Sequence, residues 1–142
     1  GMKLFDMMPM GYDPEYAYAL LEKLGAGGRN AYLYFQIPMD LIYPFLFGIT
    51  YCLLIAYLLD KLDRFKNETY YLCILPLFAG LFDYLENFGI IDMLVHYPHL
   101  TDKVIQTATF FTVLKSLFST ISFTVVIGLL VILGLKKLFR KK

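Results

Sequence analysis

The sequence predicts an all-α integral membrane protein: a helical bundle of three transmembrane helices plus an N-terminal amphipathic helix. Three observations carry that expectation. Of the 142 residues, 58% are hydrophobic, and the mean hydropathy is +0.59. Only 18% are charged, where a soluble domain carries about a quarter. Three apolar runs each exceed the roughly 20 residues needed to cross a hydrocarbon core of about 30 Å. One domain, residues 1–142, is expected.

The N-terminal helix is expected over residues 13–24. Asp13 suits the N-cap, Pro14 the first helical position and Gly25 the stop. Ala17, Leu20, Leu21 and Leu24 recur at i, i+3, i+4 and i+7 and make one apolar face. Tyr12, Tyr16 and Tyr18 suit the headgroup layer. Such a helix would anchor the rim of the bundle or act as a lid, with Gly25, Gly27 and Gly28 as its hinge. No signal peptide is expected, because the opening residues are polar and show no cleavage pattern. Gly1 ahead of Met2 reads as a tag remnant.

The spans are expected at residues 31–59, 69–95 and 104–135. The third would be roughly 48 Å long as a helix, so it must tilt or protrude. Division into two shorter spans finds no turn signal except Gly128. Basic residues set the orientation. Lys61, Arg64 and Lys66 follow the first span, and Lys136, Lys137, Arg140, Lys141 and Lys142 end the chain. Three spans put both segments on one side, the cytoplasmic side by the Lys/Arg rule. The N-terminus then lies outside and the C-terminus inside; a bacterial inner membrane is the expected location.

Charge excludes some functions. A net charge of +1 gives no basic surface for nucleic acid. Cys52 and Cys73 fall in apolar runs and read as reduced packing residues. The segment Gly25-Ala26-Gly27-Gly28 lacks the Gly-Lys-Ser/Thr continuation of a phosphate loop. No nucleophile triad lies at matching depth, and no cofactor is called for.

Polar residues inside the spans carry the functional signal, because each intramembrane charge costs about 2.5–3.5 kcal/mol to insert. In the first span Arg29, Tyr32, Gln36, Asp40 and Tyr43 follow steps of three and four, one helical stripe. Pro44 has no N–H, so the Asp40 carbonyl four residues earlier loses its partner; Pro38 does the same to Tyr34. In the second span Asp83, Glu86 and Asn87 share a face, with Gly80 one turn away. In the third, Thr112, Lys115, Ser119 and Ser122 form a small polar stripe. Counted from the same membrane face, Asp40, Glu86 and Lys115 each lie about ten residues in, so they should meet at one level in the outer half of the bilayer.

Three carboxylates against one lysine point to a site that binds a small or lipid-like ligand or an ion. Asp40, Asp83 and Glu86 would supply negative charge, Asn87, Gln36 and Tyr43 would orient the ligand, and Lys115 would tune the acids. Arg29, Tyr32, Thr112 and Ser119 complete the expected lining. Two other functions compete. A lipid enzyme would use Asp83, Glu86, Asp40 and Lys115 as catalytic groups in acid–base chemistry. A structural or accessory subunit would use the cluster for assembly. Membrane lipid is an expected partner, and a homo-oligomer, with a dimer favoured, would help complete the site. No metal site is expected; His96 and His99 are weak candidates whose spacing is loose and interrupted by Pro98.

The order Gly28-Arg29-x-x-Tyr32, Asp40 before Pro44, Asp83-x-x-Glu86-Asn87 and Lys115 resembles a pattern of small bacterial membrane proteins of unassigned function. The likeness covers most of the chain and implies no activity. Sterol-isomerase-type bundles are similar in architecture only: they have four spans and different motifs, and this chain has no tryptophan.

Overall fold

A computed structural model describes residues 1–66 and 68–140. Asn67, Lys141 and Lys142, which belong to the two basic segments, lie outside the described residues. The protein is an all-α bundle, with no strand among the described residues. Its elements are a 3-10 turn (Phe5–Met7), α1 (Pro14–Ala31), a π-helical turn (Tyr32–Gln36), α2 (Ile37–Lys61), α3 (Tyr70–His96) and α4 (Asp102–Arg140). Among the described residues three helical stretches are long and apolar enough to cross a membrane: Pro14–Lys61, Tyr70–His96 and Asp102–Phe139. No turn divides α4, which at 39 residues would extend roughly 58 Å.

The chain opens with a strap, residues 2–12, that folds back onto the bundle. Phe5 is fully buried in it. Gly11 ends it at φ 83°, and a Cβ there would lie 2.8 Å from the Thr109 methyl, so only glycine suits both the backbone and the space. The Asp13 side chain then caps α1 by accepting from the Tyr16 N–H at 2.7 Å. Ala17, Leu20 and Leu21 are buried, so the apolar face of α1 packs on the bundle. The Tyr18 hydroxyl donates to the Leu100 carbonyl at 2.9 Å and ties α1 to the connection between α3 and α4. Gly25, at φ 61° and ψ −178°, breaks the helical path inside α1. Tyr12 departs from the headgroup placement expected of it. It is buried at 7% exposure because its backbone is held by Thr109 and its ring packs on Phe5 with centroids 4.6 Å apart.

The π-helical turn lies just ahead of Pro38. A proline ring crowds the carbonyl four residues earlier, and a widened turn relieves that crowding. Beyond it, α2 and α3 cross antiparallel through two proline–glycine contacts. A Cβ on Gly80 would sit 2.8 Å from the Pro44 carbonyl oxygen; one on Gly48 would sit 3.5 Å from that of Pro76. Lipid supplies no hydrophobic drive between helices, so close backbone approach at small residues holds them by dispersion and hydrogen bonding. The Tyr84 hydroxyl adds a bond to the Leu41 carbonyl at 2.8 Å.

Two apolar cores result. One joins the strap, α1 and the ends of α3 and α4 through Phe5, Leu21, Ile90, Met93 and Ile105. The other, at the basic end, is built from Ile55, Leu58, Leu59, Cys73, Val126 and Leu129. Both cysteines are free thiols. Large apolar side chains such as Phe45, Leu53, Phe88, Leu117 and Ile127 face outward, the arrangement that lipid as solvent requires.

Candidate functional site

Helical period places Asp83, Glu86 and Asn87 on the face of α3 that meets α4. Opposite them α4 presents Thr112 and Lys115, one turn apart. The Lys115 Nζ lies 3.2 Å from Asp83 Oδ1 and 2.5 Å from Glu86 Oε2. Thr112 Oγ1 donates to Glu86 Oε1 at 2.8 Å. Asn87 Nδ2 donates to Asp83 Oδ1 at 3.2 Å and to the Asp40 carbonyl at 3.3 Å. The carbonyl that Pro44 leaves without a helical partner is thus taken up by a neighbouring helix. Glu86 and Thr112 are completely buried, and Asn87 and Asp83 nearly so.

The charges do not balance. Two carboxylates share one ammonium, and the Asp40 carboxyl stands apart, accepting from the Gln36 amide at 3.1 Å to each oxygen. In low dielectric, like charges this close favour a proton or a cation to neutralise one of them.

The strap closes the site. Thr109, one turn before Thr112 on α4, accepts from the Tyr12 N–H at 3.2 Å and donates to the Tyr12 carbonyl at 2.7 Å. The Tyr12 hydroxyl lies beside Thr112, within reach of that hydroxyl and in the field of Glu86, but makes no well-formed hydrogen bond among the described residues. Burial first, then the negative charge of Glu86, pushes this phenol above its ordinary range. It is therefore a neutral hydroxyl, able to donate and accept. Phe5 also packs toward Tyr32, whose hydroxyl donates to Asp6 Oδ1 at 2.8 Å. A cleft of about 370 Å³, lined by Met8, Met10, Gly11, Tyr16 and Thr109, opens beside Tyr12.

The remaining sequence candidates lie elsewhere. Arg29 Nη1 donates to the Leu21 carbonyl at 2.8 Å, and its guanidinium sits 4.5 Å over the Tyr97 ring, so it braces the break at Gly25. Tyr32 serves Asp6. Tyr43 is 57% exposed and packs on Phe47. Ser119 is half-buried and makes no hydrogen bond among the described residues, while Ser122 bonds back to the Phe118 carbonyl at 2.7 Å. His96 pairs with Asp92 at 2.7 Å near the surface, and His99 is exposed. Among the described residues no three His, Cys, Asp or Glu side chains are grouped to hold a metal ion.

Sequence reasoning passed over Phe5, Asp6 and Thr109 and gave Tyr12 a different place. One signal was present: Thr109 extends the Thr112–Lys115 stripe by three residues. No family model matches the chain, and no curated protein or solved structure matches it.

Proposed function

We propose that this chain binds a small cationic ligand or an ion inside the membrane, at the surplus carboxylate of the Asp83–Glu86–Lys115 cluster. The Lys/Arg rule places that cluster in the outer half of the bilayer, with the strap on the outer face. The observation that carries the reading is the Tyr12 hydroxyl. It is buried and makes no well-formed hydrogen bond among the described residues, with only the Thr112 and Thr109 hydroxyls in reach, beside two acids that share one lysine. Buried polar groups are nearly always paired, so an orphan hydroxyl beside excess negative charge supports a bound guest. The guest would accept from or donate to Tyr12, take its charge from Glu86, and enter when the strap lifts at the cleft.

Native mass spectrometry of gently extracted protein tests this, with wild type beside Glu86→Gln and Lys115→Met. A bound mass in wild type that disappears in Glu86→Gln is the expected result. Empty wild-type protein under conditions that preserve lipid adducts contradicts it.

One observation favours a second reading, assembly. The cluster's bonds join α2, α3 and α4, and Thr109 adds the strap. A purely structural cluster would lose stability or change oligomer mass in both variants, with no ligand in any of them.

A further inference from the structure

A second site lies apart from the buried cluster. Where the last turns of α3 face the first turns of α4, a groove of about 430 Å³ opens on the side of the bundle. Leu85, Phe88 and Val104 line it, together with Gly89. Gly89 lets α3 approach α4 closely: a Cβ there would lie 2.7 Å from the Ala108 methyl. Asp92, Lys103, Thr101 and Thr107 supply the polar part of the lining.

The groove is graded along the length of α3. Asp92 and Lys103 lie at the helix ends, whereas Leu85 is two turns deeper on α3, at roughly 10 Å. This is the grading of a phospholipid, with the head at the interface and the first chain carbons below. The mouth carries both signs of charge. Lys103 makes no ion pair among the described residues and sits in the first turn of α4, where the helix dipole also favours an anion. Asp92 faces the same groove; its Oδ1 lies 2.7 Å from Nδ1 of the exposed His96, which leaves Oδ2 to meet a second donor. An anionic headgroup would meet Asp92 as a like charge. A choline headgroup has no N–H to give it. A primary ammonium does.

We propose that this groove binds one zwitterionic phospholipid with a primary-ammonium head. Its phosphate lies on Lys103 and the Thr101 hydroxyl, its ammonium on Asp92, and one acyl chain runs along Leu85 and Phe88. The proposal is independent of any ligand at Glu86.

The test is lipid competition read by native mass spectrometry. Phosphatidylethanolamine, phosphatidylcholine and phosphatidylglycerol with identical chains are supplied in equal amounts to wild type, Asp92→Asn, Lys103→Gln and Glu86→Gln. Wild type should retain the ethanolamine lipid about three- to fivefold over each of the others, the size of an exposed charge-assisted contact. Asp92→Asn should abolish that preference over the choline lipid. Lys103→Gln should lower retention of the ethanolamine and choline lipids together and keep their ratio. Glu86→Gln should leave the preference intact, which separates this groove from the buried site. Equal retention by wild type, a preference for the glycerol lipid, or an unchanged ratio in Asp92→Asn overturns the proposal. Both groove residues lie at helix ends, so circular dichroism should report wild-type helix content in each variant.

Discussion

The two ends of the bundle solve the same packing problem with different chemistry. At the basic end, α2, α3 and α4 meet through Ile55, Leu58, Leu59, Cys73, Val126 and Leu129. An exposed pair, Lys136 with Asp63 at 2.7 Å, sits beside them. At the strap end the same helices bury Asp83, Glu86, Asn87 and Thr112 around Lys115, and a further segment covers them. The apolar end shows that helical hairpins of this chain pack without buried charge. The charges at the other end carry a desolvation cost that the apolar end avoids.

The largest expected effect tests that contrast. Lys115→Met strands two buried carboxylates and should cost about 3–5 kcal/mol in a micelle unfolding titration. Glu86→Gln should cost clearly less, because it leaves Asp83 and Lys115 as a balanced pair. Equal losses would mean that the cluster carries no surplus charge.

The strap comes next. Thr109→Val removes both bonds to the Tyr12 backbone and should cost about 1–3 kcal/mol. Hydrogen exchange over residues 2–12 should rise while exchange in α3 stays slow. Faster exchange throughout would show that the strap is part of the core rather than a cover. The smallest effect belongs to the basic end. Asp63 is 86% exposed, so Asp63→Asn should change stability by no more than about 1 kcal/mol. A larger loss in the same unfolding titration would erase the contrast between the two ends.

The sequence carried the spans because hydropathy and length decide them without tertiary detail. It also carried the meeting of Asp83 and Glu86 with Lys115. Steps of three and four fix one helical face, and counting from the membrane face fixes depth. The stripe Arg29–Tyr32–Gln36–Asp40–Tyr43 assumed an unbroken helix; its Gln36–Asp40 part holds together and reaches Asn87, while Arg29 and Tyr32 take other partners. Gly25 breaks the path before it, and the π turn at Tyr32–Gln36 adds a residue to one turn and rotates the rest of the stripe about the helix axis. Tyr43 packs on Phe47 at the margin of the cluster, within electrostatic reach of Asp83 and Lys115, and Arg29 braces α1. The strap was not legible for a different reason. Its Phe5, Asp6 and Tyr12 sit in an irregular segment with no period, and their partners Tyr32 and Thr109 are 26 and 97 residues away.

Tyr12→Phe is the most direct test of the central claim. It keeps the ring against Phe5 and removes only the orphan hydroxyl. Thermal unfolding and native mass should be read on the same samples. The account predicts unchanged or slightly higher stability, by up to about 1 kcal/mol, together with loss of the bound mass seen in wild type. Lower stability with the bound mass retained would contradict it, because the hydroxyl would then serve the fold and not a ligand.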